Sequence, residues 1–321
     1  MTKKERVLAA FNNQPVDKIP MGFWYHFSPD DDFGQETVNE HLKWYKDADL
    51  DFIKIMCDGY FNYPNPFIQT VTCPEDWFNM TPLGEDHPWI TKQIERAKGV
   101  VEGAKDECCV FYNVFNPMSL MRFGTSEELL MDHLHKNPAA VCHAFSVIAQ
   151  DIKAMIRRLI TEAGCTGIYF CVQNAEKFRF TANEYCNLVK PIELEILNYA
   201  NTLSEDNIMH CCGWAGDENR YEVWQDYPAK AVNWAVYVEN MTLSEGKKFF
   251  GGCCVLGGFD NRPEAVLYSG TKEEVQAETE KIVKEAGEVG VIIGADCTLP
   301  ADIGAQRLLW VREKLDQLAA K

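Results

Sequence analysis

The stretch GIYFCVQ at residues 167–173 is followed by TANEYCNLVKPIELEILNYANTL at 181–203 and by NIMHCC at 207–212. The first and third stretches are short and mostly apolar, with β-branched or aromatic residues, which is typical of buried strands. The middle stretch repeats apolar residues, Tyr185 and Leu188 among them, at the spacing of an amphipathic helix. Strand, helix and strand in this order predict a βαβ unit with two parallel strands.

The same alternation recurs along the chain. Strands are predicted at 19–24, 51–56, 109–115, 167–173, 207–212, 231–237, 249–259 and 291–296. Helices are predicted at 126–134, 138–163, 181–203, 271–287 and 300–318. Eight strands separated by helices predict the α/β class and a (β/α)8 TIM barrel. Because no linker or internal repeat interrupts the pattern, we expect a single domain over residues 1–321.

One segment departs from this alternation. Residues 60–101 are long, show few regular patterns and contain Pro64, Pro66, Pro74, Pro82 and Pro88. We therefore predict a loop insertion after the second strand. Loops at this end of a barrel strand lie over the active-site face.

The composition limits the classes of partner. Lys and Arg number 31 and Asp and Glu number 48, so the formal net charge is −17. Such an acidic surface repels nucleic-acid phosphates and anionic membranes, and we expect neither as a partner. No apolar run reaches the ~18 residues of a membrane span. The odd cysteine count of 13, without a secretory leader pattern, predicts free thiols in a reducing cytoplasm.

Two strand ends carry residue types that ligate metals. His210 and Cys212 end the fifth predicted strand two residues apart, so both face one side while Cys211 faces the other. Cys297 follows the eighth predicted strand, which ends on the same face of a barrel. Three His and Cys ligands leave one coordination position of zinc open, as in catalytic sites. By spacing alone, ordinary buried cysteines remain the alternative.

Further motifs give the chain a family resemblance. They are KERVLAAF (4–11), PVDKIP (15–20), GGFD (257–260), GTKEEV (270–275) and GADCTLP (294–300). On these motifs the chain resembles the uroporphyrinogen decarboxylase superfamily over nearly its whole length, which implies a (β/α)8 barrel. The decarboxylase itself carries an arginine-rich motif soon after its first strand, which grips the carboxylates of its substrate. The equivalent stretch here, GFWYHF at 22–27, contains no arginine.

The other branch of the superfamily, the zinc- and corrinoid-dependent methyltransferases, is the one that the chain resembles. Methylcobalamin:coenzyme M methyltransferases belong to it, and their zinc ligands imply the set His210, Cys212 and Cys297 here. The implied activity moves a methyl group from a methylated corrinoid, carried by a partner protein, to a small thiol activated on zinc. Two alternatives stay open: uroporphyrinogen decarboxylase or a related lyase, and a non-catalytic partner of a corrinoid protein.

Further substrate-pocket candidates lie at or after the ends of predicted strands, where barrels place their ligand contacts. They are Trp24, His26, Asp58, Asn113, Gln173, Glu176 and Asp260. For each of them, packing or an ordinary loop or capping role is the alternative. No catalytic residue beyond the three metal ligands is predicted.

Overall fold

Within residues 1–29 and 32–320, which the computed structural model describes, the central sheet contains seven parallel strands. They are β1 (Phe52–Ile55), β2 (Cys109–Phe115), β3 (Gly167–Val172), β4 (Ile208–Cys211), β5 (Ala231–Trp234), β6 (Cys254–Phe259) and β7 (Val291–Ala295). The strands are hydrogen-bonded in chain order, β1 to β7. Each of them falls within a predicted strand, and the α/β class is confirmed.

The first predicted strand, 19–24, closes the sheet without forming a regular strand. Met21 makes an isolated parallel bridge to Ile293 of β7. Its carbonyl oxygen accepts a hydrogen bond from the amide of Asp51, the residue before β1, at 2.9 Å. The segment therefore joins the two edges of the curled sheet. The regular part of the barrel has seven strands instead of the eight predicted.

Close packing explains the glycine in this closing segment. A Cβ atom on Gly22 would lie 2.0 Å from Cε1 of Phe52, so a larger residue would push the segment away from β1. The Gly22 amide donates to the carbonyl of Ile293 at 2.9 Å. Pro20 has no amide hydrogen to continue a ladder, which is one reason why the pairing here stays short.

Helices connect the strands and cover the sheet. They are α1 (Lys3–Phe11), α2 (Gly34–Asp47), α3 (Pro88–Ala104), α4 (Pro117–Gly124), α5 (Glu127–Lys136), α6 (Pro138–Thr161), α7 (Ala182–Leu188), α8 (Lys190–Leu203), α9 (Val236–Glu239), α10 (Leu243–Phe249), α11 (Val266–Ser269), α12 (Lys272–Ala286) and α13 (Ala305–Ala319). Short 3₁₀ helices lie at Pro66–Gln69, Pro74–Asn79 and Tyr221–Val223. The helices predicted at 126–134, 138–163 and 271–287 are confirmed as α5, α6 and α12.

Two predicted helices differ from the structure. The helix predicted at 181–203 is divided into α7 and α8 around Val189, which ends the first and begins the second. Pro191 is the cause, because its ring lacks an amide hydrogen and clashes with the preceding turn of a continuous helix. The helix predicted at 300–318 begins later, at Ala305.

The loop insertion predicted at 60–101 is not confirmed over its whole length. Its last part belongs to α3, which begins at Pro88 and connects β1 to β2. His87 caps this helix, since its side chain accepts a hydrogen bond from the Trp89 amide at 3.1 Å. A proline in the first turn removes no intrahelical hydrogen bond. Pro88 therefore marks the start of a helix, although the sequence pattern suggested a loop.

The interior of the barrel is filled at the end nearest α1. Phe11 of α1 packs against Phe111, with ring centroids 5.7 Å apart, and Phe111 in turn contacts Phe52. These rings belong to one buried apolar cluster inside the sheet. Aromatic packing therefore closes this end, and the opposite end, where the strands finish, is left for a site.

The longest helix, α6, is apolar enough to span a membrane by length and composition alone. Within the protein, 61% of its most apolar window is buried. Burial of this kind is typical of the core helix of a globular protein, in which the apolar face packs on neighbouring elements.

Candidate metal centre

Three metal-ligating side chains converge where the strands end. His210 lies in β4, Cys212 directly follows this strand, and Cys297 lies two residues beyond β7. Their ligand atoms all lie within 4.8 Å of one another. The Cys297 sulfur is 3.9 Å from the Cys212 sulfur and 3.6 Å from Nε2 of His210. The structure thus brings together the three residues selected from the sequence.

Strand alternation explains how two of these ligands come from one strand end. His210 and Cys212 line the same cavity, whereas Cys211 between them is fully buried in the outer core. The carbonyl oxygen of Cys211 accepts a hydrogen bond from the Tyr221 hydroxyl at 3.3 Å. The Cys212 amide donates to the Val172 carbonyl at 3.0 Å, which holds this ligand beside the end of β3.

The two donor spacings that involve Cys297 match those of a tetrahedral zinc ion. With Zn–S bonds of about 2.3 Å and a Zn–N bond of about 2.0–2.1 Å, the S···S and S···N edges are about 3.8 Å and about 3.6 Å. The observed distances are 3.9 Å between Cys212 and Cys297 and 3.6 Å between Cys297 and His210. Two thiols and one imidazole also match the donor preference of zinc, and they leave a fourth position for another ligand.

A buried asparagine of β5 holds the ring of His210. Oδ1 of Asn233 lies 2.5 Å from Nδ1 of His210 and accepts a hydrogen bond from the Tyr169 hydroxyl at 2.7 Å. The amide nitrogen of Asn233 donates to the carbonyl oxygens of Leu256 and Ala295, at 2.8 and 3.0 Å. Both amide hydrogens are thereby used, and the orientation of the side chain is determined.

This orientation determines the tautomer of the imidazole. Because Oδ1 of Asn233 can only accept, the proton of neutral His210 must be on Nδ1. Nε2 then carries the lone pair, and this is the atom that faces Cys297. A metal-bound histidine is commonly oriented in this way, by a hydrogen bond from its other ring nitrogen. The site is therefore organised for ligation through Nε2.

The two sulfurs differ in acidity. A hydrogen bond from Cys212, reinforced by His210, holds the pKa of Cys297 well below its usual range. The same bond, together with burial, raises the pKa of Cys212. One thiolate is therefore favoured before a cation arrives, and the second thiol loses its proton when a cation binds.

The cluster opens into a cavity of about 560 Å³. This volume lies within the range of small-molecule sites. The residues that line it are His26, Lys54, Met56, Phe61, Asn62, Asn113, Phe115, Arg122, Phe123, Cys171, Gln173, His210, Cys212, Trp214, Cys297 and Thr298. Aromatic rings thus form much of the wall around the three donors.

Four of the predicted pocket residues lie in or beside this cavity. His26, Asn113 and Gln173 line it. Asp58 lies behind His26, with its Oδ1 2.6 Å from Nδ1 of the ring, and so orients that side chain. Oε1 of Gln173 accepts a hydrogen bond from Arg122 at 3.0 Å.

The other three predicted pocket residues lie outside the lining. Trp24 is only 2% exposed and belongs to the buried cluster inside the sheet. Oε2 of Glu176 accepts from Arg179 at 2.8 Å, and Oδ2 of Asp260 pairs with Arg262 at 2.5 Å. Both carboxylates are thus neutralised by nearby arginines, which corresponds to the loop role left open for them.

Several residues of the site were missed from the sequence. Lys54 and Asn233 lie inside predicted strands, and a lysine or asparagine within a buried strand is unusual enough to signal a role. Arg122 and Trp214 gave no such signal, because they lie on α4 and on the loop after β4. The guanidinium carbon of Arg122 lies 4.0 Å from the Trp214 ring centroid, a contact that only the folded chain creates.

The fold and the cluster together define an α/β barrel with metal-ligating residues at the ends of its strands. The sequence model of the family described as uroporphyrinogen decarboxylase matches residues 64–316, well over half of the chain. The chain belongs to the uroporphyrinogen decarboxylase family, as its motifs predicted. The matched range contains all three residues of the cluster.

Solved structures share this fold at low sequence identity. A methyltransferase from Methanosarcina mazei has a TM-score of 0.77 and 13% identity, with 99% of each chain covered. A B12-independent methionine synthase from Shewanella sp. W3-18-1 has a TM-score of 0.52 and 15% identity, covering 71% of this chain and 66% of that one. A family 5 glycoside hydrolase from Prevotella bryantii B14 also reaches 0.52, at 13% identity and with 97% and 98% covered. At these identities the likeness concerns the fold alone. A comparison with curated protein sequences found no significant match.

Proposed function

We propose that this protein is a zinc-dependent methyltransferase that moves a methyl group from a methylated corrinoid to a thiol. The observation that carries the proposal is the arrangement of His210, Cys212 and Cys297 around one point, with His210 held by Asn233. Three ligands and an adjoining cavity are what a catalytic zinc site requires. The resemblance of these three residues to the zinc ligands of the methyltransferase branch supports the same activity.

When bound, zinc would supply an open position at which a thiol loses its proton and gains nucleophilicity. Cys212 and Cys297, as thiolates, would provide two negative charges to neutralise the divalent cation. His210 completes the set as a neutral ligand, because Asn233 keeps its proton on Nδ1. The chain thus prepares a place for one further sulfur.

The cavity wall would shield this chemistry from water. Phe61 lies against Phe115 and Phe123, with ring centroids 5.6 and 5.9 Å apart. Trp214 extends the apolar wall towards the mouth, where it is 45% exposed. Aromatic side chains exclude water and offer flat surfaces to a large planar ligand. We infer that a partner protein presents the methylated corrinoid at this mouth, in the cytoplasm.

The decarboxylase alternative is less well supported by the cavity. Its substrate carries several carboxylates, and their recognition calls for several arginines. Arg122 is the one arginine among the described residues that line the cavity. A methyl-transfer role does not need such a clamp. The activity measurement described below distinguishes catalysis from a non-catalytic role beside a corrinoid protein.

Metal analysis of the purified protein tests the proposal. We expect about one zinc ion per chain, lost in His210→Ala and in Cys297→Ser. Cys186→Ser is the matched control, because Cys186 lies in α7 outside the cavity. A folded wild-type protein without zinc, or equal zinc in all four proteins, would contradict the assignment.

Turnover tests the activity itself. Free methylcobalamin is mixed with the zinc-loaded protein and a panel of small thiols that includes 2-mercaptoethanol, and its demethylation is followed by absorbance. We expect thiol-dependent demethylation that Cys297→Ser abolishes. A zinc-loaded protein that is inactive with every thiol, even with added corrinoid protein, would favour the non-catalytic alternative.

A further inference from the structure

Lys54 is a buried cation on the wall of the cavity. It lies in β1 and is only 7% exposed. Its Nζ atom is 4.0 Å from the ring centroid of Tyr169 and 4.5 Å from that of Trp24. The aliphatic chain is therefore held inside the barrel, and the ammonium group is in contact with two aromatic faces.

Among the described residues, no carboxylate oxygen of Asp or Glu forms an ion pair with Nζ of Lys54 within 4.0 Å. Contact with aromatic rings stabilises the ammonium group only in part. A ligand that displaced water from the cavity would leave this charge without a partner, which is costly. The position of Lys54 therefore points to a negatively charged group on the ligand, which would pair with the ammonium group when the ligand binds.

The negative charge would arise at the end of the cavity that contains Cys212 and Cys297. Lys54 and Cys297 line the same cavity. The Tyr169 ring, whose centroid lies 4.0 Å from the ammonium nitrogen, also packs against the ring of His210, with centroids 5.4 Å apart. Lys54 and the cluster thus contact the same aromatic ring, and at this separation a charge acts electrostatically on a sulfur bound there.

The net charge of the proposed zinc centre explains why a cation is needed beside it. A divalent zinc ion with two cysteine thiolates and a neutral imidazole has no net charge. A substrate that adds a third sulfur as thiolate gives the centre one negative charge, inside an apolar wall where a lone charge is costly. The ammonium group of Lys54 would restore neutrality.

We propose that Lys54 supplies the counter-charge for the substrate sulfur, so that the cavity prefers an ionised thiol to a neutral ligand at the same position. This inference rests on the proposed function. A purely structural role, in which Lys54 only fills space between Trp24 and Tyr169, predicts no such preference. Ligand charge is therefore the variable that separates the two roles.

Cobalt(II) substituted for zinc allows ligand binding to be followed by visible absorbance without turnover. The protein is titrated with 2-mercaptoethanol, which binds as an anion, and with imidazole, a neutral ligand for the same position. The test variants are Lys54→Met, which removes the charge but keeps the length, and Lys54→Arg, which keeps the charge. Lys92→Met is the matched control, because Lys92 lies in a different groove, beside Glu95 and Arg96.

In Lys54→Met we expect the dissociation constant for 2-mercaptoethanol to rise about tenfold, and that for imidazole to stay the same. Lys54→Arg should recover most of the thiol affinity, and Lys92→Met should resemble wild type. Equal weakening of both ligands, or unchanged thiol affinity in Lys54→Met, would overturn the role of Lys54 alone. Wild-type protein that holds cobalt but binds no thiol would overturn the proposed function as well.

Discussion

His210 and Asn233 are register partners on adjacent parallel strands, and a 2.5 Å contact between Nδ1 and Oδ1 joins their side chains. The imidazole therefore cannot rotate or change its tautomer without breaking this bond. A ligand atom that is already oriented loses less conformational entropy when a metal binds. Metal binding at the proposed centre would thus depend on a residue outside the ligand set.

Substitution of Asn233 should weaken metal binding without removing a ligand. In Asn233→Leu the proton of His210 is free to move to Nε2, and we expect the affinity for zinc to fall by about 10- to 100-fold. Competition with a chromophoric chelator measures this change. Asn39→Leu, on the exposed face of α2, is the control. Wild-type affinity in Asn233→Leu would contradict the orienting role.

Substitution of Trp214 should change turnover without changing zinc content. It lies over Arg122 at the mouth of the cavity, so Trp214→Ala removes part of the wall and releases the guanidinium group. We expect KM for methylcobalamin to rise several-fold, roughly the loss of one aromatic contact, with zinc content unchanged. Steady-state kinetics on zinc-loaded protein measure it. Phe178→Ala is the control, because Phe178 is 63% exposed and does not line the cavity. An equal rise of KM in Phe178→Ala would refute a specific role of Trp214.

Glu193 should make stability depend on pH. This carboxyl group of α8 is fully buried, and burial raises its pKa from the ordinary 4.5 to about 7, although Tyr227, Asn116 and Tyr185 all donate hydrogen bonds to it. Between pH 4.5 and 7 the folded state binds more protons than the unfolded state. The free energy of unfolding therefore falls as pH rises through this window, by about 3 kcal/mol in total.

Urea unfolding at pH 5, 6, 7 and 8 tests this dependence. Glu193→Gln cannot ionise, so the decline between pH 5 and 7 should become shallower. Part of the decline in the free energy of unfolding should remain in this variant, because burial also raises the pKa of Glu239 to about 7. Glu273→Gln, on the exposed side of α12, should keep the full wild-type slope. A wild-type slope in Glu193→Gln would show that this carboxyl group is not the source.

Gly22 of the closing segment should not tolerate a larger side chain. In Gly22→Ala the new methyl group would overlap the ring of Phe52, so either the ring or the segment must move. We expect a loss of about 1–3 kcal/mol in the free energy of unfolding, measured with urea. In Gly124→Ala the nearest atom is 3.1 Å away, on Ile68, and a much smaller change is expected. Equal effects of the two substitutions would contradict the packing argument.

The sequence was sufficient to predict that His210, Cys212 and Cys297 lie together, because the information is local. A period of two residues places His210 and Cys212 on one side of a strand. Parallel strands all finish at one end of a barrel, which brings Cys297 to the same place. Neither step requires knowledge of which strands are neighbours in space.

The supporting residues could not be predicted in this way. The role of Asn233 depends on the register between β4 and β5, and the role of Lys54 depends on the packing of two rings from distant segments. The segment at 60–101 misled for a different reason. Pro88 is compatible with a helix start and with a loop, and the four prolines that precede it in the segment favoured the loop.

The hydrogen bonds of Asn233 have a mechanical consequence. From β5, this one side chain reaches Tyr169 in β3, His210 in β4, Leu256 in β6 and Ala295 in β7. A cation bound by His210 and Cys297 would span β4 and the end of β7 a second time. Metal occupancy and the cohesion of five strands are then thermodynamically linked, so removal of the metal by a chelator should lower the free energy of unfolding of the barrel.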